Sequence, residues 1–354
     1  MPAPSQLHDL ACVAHLHSTY SDGTGTVGQI AKAAKHSGVD VVLLTDHDTL
    51  EAKDRGEEGW HGPVLVLVGE EVSPRGGNHY LAFDIDEVID HRGLSGAQVC
   101  EAVRDAGGFG FAAHPLSSGS KRFKRAGTGV PFRDLDSEAL HGFELWSFAT
   151  DTAERLPSVP AALRFIAAPE RVLDHPPEEN VREWERLCRE RPIVALGGLD
   201  AHQFGIRIGP VVPLRLMSYR RSFGQLRTHV LTDAPLSGEL EPDRGRVYSA
   251  LRRGRCYIAR DSLAPARGFS FHAEGPAGRL EMGAEAPAGD WTLYARLPSP
   301  ARLRLVRDGE EIASLEGPVL ARQVREPGVY RVEALRHAHG RERTWVLSNP
   351  IYLR

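Results

Sequence analysis

The sequence predicts an α/β fold followed by a smaller antiparallel β region. Three observations predict it. Between residue 10 and about residue 200, short apolar runs alternate with stretches of helical spacing. The apolar runs are nearly continuous in Val, Leu, Ile, Ala and Phe, the pattern of strands covered on both faces. After about residue 260 the runs shorten and alternate apolar with polar, as half-buried antiparallel strands do.

Residues 10–17, 40–45, 63–70, 108–114, 142–146 and 192–197 read as the strands of the first region. Between them, residues 26–37 carry apolar side chains at 27, 30, 31 and 34 and stop at Gly38, a helix with a glycine terminator. Residues 94–105 and 178–190 have the same spacing. Strand–helix alternation of this kind implies right-handed βαβ units, in an open sheet or a barrel. In the second region, residues 269–273, 291–297, 301–307, 311–315, 329–335 and 344–347 read as strands. Asp308-Gly309 stands between two of them as a hairpin turn. These strands suggest a small β-sandwich. The boundary is expected near 261–268, giving domains 1–262 and 263–354.

The chain has 354 residues, 41% hydrophobic and 25% charged, enough to bury a large core and a small one. Its formal net charge of -4 gives no global pull toward nucleic acid or an anionic membrane. Cys12, Cys100, Cys188 and Cys256 form no C-x-x-C pair, so neither a zinc knuckle nor a redox motif is indicated. No leader-like segment opens the sequence and no apolar run could span a bilayer, so a cytoplasmic, non-membrane protein is expected.

The chemistry concentrates at strand ends. The first strand ends in His15-Leu16-His17, and residues two apart on a strand point the same way. Asp22-Gly23 follows in a loop. The second strand ends in Thr45-Asp46-His47-Asp48, the third in Gly69-Glu70-Glu71. Later ones end in Ala113-His114-Pro115 and Leu199-Asp200-Ala201-His202. In barrels and doubly wound sheets, strand C-termini converge on one mouth. Imidazoles and carboxylates without thiolates suit zinc, manganese or iron in an open hydrolytic site. No P-loop, G-x-G-x-x-G or G-x-S-x-G competes with this reading.

H-L-H-S-T-Y-S-D-G, L-L-T-D-H-D, V-G-E-E-V-S, A-A-H-P and G-L-D-A-H, in that order, resemble the PHP (polymerase and histidinol phosphatase) family over roughly residues 10–260. The resemblance implies a distorted (β/α)7 barrel with two to three divalent ions at its mouth. It implies a first ion on His15, His17, Glu71 and Asp200, and a second on Glu71, His79 and His114. A third falls to Asp22, His47 and His202. Glu71, rather than Glu70, fits because Val72-Ser73 follows it. Glu71, Asp200 and His202 would serve catalysis through the ions. Hydrolysis of a phosphate ester by a hydroxide bridging two ions is the implied reaction. A small phosphomonoester of a nucleotide, sugar or amino alcohol is the expected substrate, with nucleic acid entering only as the substrate of an alternative nuclease. A non-catalytic metal-dependent scaffold is the rival of another class, and the filled set of ligand positions argues against it.

The loop 117–130 departs from the family pattern. Its Lys121, Arg122, Lys124 and Arg125 are candidates for phosphate contact. Glu144 is a candidate for orienting a ligand histidine. Asp46 and Asp48 should point away from His47, with Asp48 capping a following helix. His36, His61, His91, His141, His175, His229, His272, His337 and His339 lack partners at ligand spacing and read as surface or core residues. The C-terminal strands, ending in Ser348-Asn349-Pro350-Ile351-Tyr352, resemble a domain that accompanies the barrel in some members.

Overall fold

A computed structural model describes residues 7–122, 129–203, 205–208, 211–215 and 217–354, the side chains of 205–208 and 211–215 excepted. The first region is a mixed α/β sheet. Its strands are β1 (His8–Ala14), β2 (Val41–His47), β3 (Val64–Val72), β4 (Tyr80–Phe83), β5 (Phe109–Ala112), β6 (Gly142–Ser147) and β7 (Val194–Gly198). Two further strands, β8 (Arg227–Thr232) and β9 (Cys256–Ala259), lie beyond β1. The helices that matter here are α1 (Val27–His36), α2 (Gly96–Asp105), α3 (Phe148–Arg155), α4 (Val159–Ala167), α5 (Glu178–Glu190) and α6 (Leu240–Arg252).

The helices begin where local chemistry allows. Thr26 and Gln29 form a capping box at α1, and Ser95 and Gln98 repeat it at α2. Strand order in this region is β7-β6-β5-β4-β3-β2-β1-β8-β9. β1, β2 and β3 run parallel, as do β5, β6 and β7, but β4 is antiparallel to both neighbours. Both faces of the strands are buried, as their composition predicts. Val42 and Leu44 face the helices. Val41 and Leu43 face an inner cluster with Cys12, Leu65, Leu81, Phe111 and Leu196, to which α6 adds Val247 and Leu251.

The tail of β7 meets the tail of β1. Leu199 N–H donates to the Ala14 carbonyl, and Leu16 and Ala201 form an isolated parallel bridge. No ladder joins the two strands, so the sheet is not closed among the described residues.

The second region contains β10 (Ser270–Gly275), β11 (Trp291–Arg307), β12 (Glu310–Val324), β13 (Gly328–Ala338), β14 (Arg341–Ser348) and β15 (Ile351–Leu353). Asp308 and Gly309, both at positive φ, join β11 to β12 as a two-residue hairpin. The expected break at 298–300 is a register shift inside one long strand. Pro298 and Pro300 have no N–H for the ladder, yet the chain stays extended. The sheet runs through the expected domain boundary, because β14 pairs with β9, Val346 opposite Ala259. Among the described residues no helix is long and apolar enough to cross a membrane.

Candidate metal centre

The motifs His15-Leu16-His17 and Asp200-Ala201-His202 lie side by side. β1 ends at Ala14 and β7 at Gly198, so neither motif is on a regular strand. The Leu16–Ala201 bridge holds both extended segments together, with His17 N–H donating to the Ala201 carbonyl. Leu16 and Ala201 turn into the core, and their four polar neighbours turn the other way. The alternation expected on a strand is thus kept by one bridge beyond it. His15 (φ 59°), His114 (φ 30°) and Asp200 (φ 48°) adopt left-handed backbone, uncommon for side chains of this kind and concentrated where ligand-type residues gather.

Glu71 sits at the centre and is fully buried. Its Oε2 lies 3.2 Å from His15 Nε2 and 3.2 Å from His17 Nε2. Asp200 Oδ1 stands 3.6 Å from each of the same two nitrogens. Glu71 Oε1 lies 2.9 Å from His79 Nδ1 and 3.3 Å from His114 Nε2. Beside them, Asp22 Oδ1 lies 3.1 Å from His202 Nε2 and 3.9 Å from His47 Nε2. All nine residues singled out by the sequence are therefore brought together. Glu70 points elsewhere and accepts from Ile89 N–H.

His79 begins its run instead of ending it because β4 is antiparallel. Its N-terminal end lies at the mouth where its neighbours end, and Ala113 N–H donates to the His79 carbonyl.

Whether these residues fit divalent ions is answered by their spacing and by what holds them. Ligands about 2.1 Å from a tetrahedral ion stand about 3.4 Å apart. The contacts of His15 and His17 with Glu71 and Asp200 straddle that value and are long for hydrogen bonds. Both ring nitrogens of His17 are buried without a hydrogen-bond partner, as is His114 Nδ1. Three other imidazoles are held at Nδ1. His15 Nδ1 lies 2.8 Å from Glu144 Oε1, His47 Nδ1 2.7 Å from Ser73 Oγ, and His202 Nδ1 3.1 Å from the Asp200 carbonyl. Ser73 donates its own proton to the Glu71 carbonyl, so its oxygen accepts from His47. Each Nδ1–H is thereby fixed, and each Nε2, the acceptor of the neutral ring, faces a carboxylate of the cluster. That is how proteins orient imidazole toward a metal.

Electrostatics follow. Burial opposes charge on Glu71 and Asp200, yet His15 and the other surrounding imidazoles hold both carboxyls well below the usual range. Burial and the neighbouring His202 lower His17 to about 4. His202 rises to about 9 against its burial, because Asp22 and Asp200 face it.

Glu144, a candidate orienting group in the sequence, holds the His15 imidazole, and its Oε2 accepts the backbone N–H of His114 at 2.5 Å. Asp46 points away from the cluster, as expected. It accepts from Ser18 N–H, Ser18 Oγ and Ser21 Oγ, which fixes the loop that presents Asp22. The expected helix cap by Asp48 is not formed. Asp48 accepts Ser73 N–H and approaches His91 Nε2 at 3.1 Å, because its φ of 51° turns it back over β3. His229 is also partnered, lying 2.6 Å from Asp9 and 3.4 Å from Asp261.

Thr150, which hydrogen-bonds Asp200, carried no signal in the sequence, because a threonine at the start of a helix has many uses. Lys121 and Arg122 are exposed and line a neighbouring cavity of about 580 Å³ with Glu154, Arg155 and Glu179. Lys124 and Arg125 lie outside the described residues.

No family model matches the chain. An uncharacterized protein of Methanocaldococcus jannaschii is 28% identical over 145 residues, covering 37% of this chain and 80% of the relative. A two-domain protein from Bacteroides vulgatus containing a predicted PHP-like metal-dependent phosphoesterase is 14% identical in structural alignment. That alignment covers 98% of this chain and 97% of the other, with a TM-score of 0.47. A protein from Bifidobacterium adolescentis, assigned by inference as a metal-dependent phosphoesterase, is 19% identical with a TM-score of 0.36. It covers 58% of this chain and 92% of its own. Likeness of this size fixes neither activity nor mechanism, and the geometry of the site has to carry both. In the order of its motifs and the convergence of their side chains, the chain resembles the PHP family of metal-dependent phosphoesterases.

Proposed function

We propose that the protein is a metal-dependent hydrolase of phosphate monoesters. One observation carries this reading: the buried Glu71 carboxylate stands between two sets of histidines, His15 and His17 with His47 Nδ1 on one oxygen, His79 and His114 on the other. A carboxylate so placed suits bridging two ions. In this reading His15, His17, Glu71 and Asp200 hold the first ion, Glu71, His79 and His114 the second, and Asp22, His47 and His202 a third. Zinc, manganese and iron suit the donor set. Bound there, such ions lower the pKa of water and neutralise phosphoryl charge.

The chain's own part is positional. Glu144, Ser73 and the Asp200 carbonyl each hold one imidazole tautomer. Thr150 fixes Asp200, and Asp46 fixes the loop of Asp22. In this reading residues 1–262 form a distorted (β/α)7 barrel. Residues 263–354 read as an accessory β-sandwich. A reducing, cytoplasmic setting agrees with the four buried thiols, all unpaired.

The test is hydrolysis of p-nitrophenyl phosphate and bis(p-nitrophenyl) phosphate with manganese, zinc or chelator, beside Asp200→Ala. Metal-dependent release from the monoester, lost in the variant, is expected. Release from the diester alone would make the protein a nuclease or phosphodiesterase. Bound metal with no release from either would favour the scaffold.

A further inference from the structure

The ligand cluster is the floor of a cavity of about 660 Å³, and the rest of that cavity is chemically unlike its floor. One wall is built by α3 and α4. Phe148, Ala153 and Leu156 come from α3 and the residue just after it, and Ala162, Phe165 and Ile166 from α4. Positions 162, 165 and 166 are spaced i, i+3, i+4, so α4 turns one apolar face to the cavity. The rings of Phe148 and Phe165 pack at 5.5 Å and make that wall continuous.

Ser117, Glu154 and Thr150, at the seam between wall and floor, are already engaged. Ser117 hydrogen-bonds Glu154, which also accepts from Ser118 and Gly119 N–H, and Thr150 hydrogen-bonds Asp200. Among the described lining residues there is no Lys or Arg. Arg155, in the neighbouring cavity, is paired with Glu179 at 2.6 Å.

We propose that this site takes phosphate monoesters of apolar alcohols, alkyl or aryl, with the leaving group laid against the α3–α4 wall. The inference rests on the phosphoesterase reading of the cluster. A sugar or nucleoside leaving group laid on the α3–α4 wall would bring hydroxyls and amides against the side chains of Phe148, Leu156, Ala162, Phe165 and Ile166, which give them no partner, and that costs binding. A polynucleotide would need cations along its path, and the described lining supplies none. An alkyl group meets the opposite situation, since each methylene buried there is worth about fourfold in affinity, from about 0.8 kcal/mol per CH₂.

The experiment measures binding of n-alkylphosphonates, methyl through hexyl, to the manganese-loaded full chain by calorimetry. Hydrolysis of the matching alkyl phosphates, and of glycerol phosphate and a nucleoside monophosphate, is measured in parallel. Affinity should climb about three- to fourfold per methylene. Ile166→Asn should flatten the climb, and so should Ala153→Asp, an exposed position whose substitution leaves the core untouched. Flat affinity across the series, or faster hydrolysis of the glycerol or nucleoside ester than of the alkyl phosphates, would overturn the substrate class. If hydrolysis persists in that case, the phosphoesterase reading survives. A climbing series without hydrolysis of any ester would support the wall's role and sink the phosphoesterase reading instead. Flat affinity with no hydrolysis would overturn both.

Discussion

At the residue scale, the centre depends on groups that do not themselves face its middle. Glu144 is fully buried, holds His15 through Nδ1 and receives His114 N–H. Glu144→Gln keeps the shape but removes the charge that favours the required tautomer. Metal affinity should fall about 10- to 100-fold in a competition titration, with the circular dichroism spectrum unchanged. Asp151 shows the opposite electrostatic case. Burial pushes its carboxyl from 3.8 up to about 8, and the Ser147 N–H it accepts at 2.7 Å only partly compensates. The folded state therefore holds a proton that the unfolded chain releases near pH 4. Stability contributed by the neutral acid is complete below pH 4 and is lost as pH rises toward 8. Asp151→Asn should gain on the wild type progressively across that window and level off above it. Denaturant unfolding at several pH values reads this, and parallel curves would refute the assignment.

At the element scale, much was legible and the reasons are local. Strand ends delivered His47, Glu71 and His114 because apolar runs covered on both faces give way to ligand-type residues at the mouth where those ends gather. The capping boxes at α1 and α2 follow from Thr26-x-x-Gln29 and Ser95-x-x-Gln98. What was not legible depended on partners distant in sequence. The reversed direction of β4 explains His79, yet a run of four apolar residues carries no sign of direction. The Leu16–Ala201 bridge joins segments far apart in the chain, and nothing in either announces the other. Asp48 had the composition of a cap and was drawn instead to Ser73. Gly198 belongs to the same hidden layer. A methyl group there would overlap Glu144 Oε1 and press on the His15 Cβ at 3.0 Å. Gly198→Ala should destabilise the fold by about 1–3 kcal/mol and release metal, read by thermal unfolding and metal analysis. Retention of both would contradict this packing.

At the scale of the whole molecule, the C-terminal strands bear on the strands that carry the site. Asn349, 1% exposed, accepts Ala195 N–H at 2.7 Å and donates to the Ala195 and Cys256 carbonyls at 3.0 Å each. It therefore ties β7 and β9 to the end of β14. Arg343, from β14, donates to the carbonyls of Glu170, Arg171 and Leu173. Asn349→Ala leaves buried backbone groups unpaired and should cost about 3 kcal/mol in denaturant unfolding. This linkage was not visible in the sequence. The change from continuous to alternating runs marks where composition changes, while the β9–β14 pairing depends on which sheet edge is left open.

The central claim is that Glu71 organises a multi-ion centre. Metal content of purified, metal-reconstituted protein, measured by plasma mass spectrometry beside Glu71→Gln, tests it most directly. The account predicts about two to three divalent ions per wild-type chain and a loss of at least one in the variant. Fewer than one ion in the wild type, or the same content in both, would contradict it.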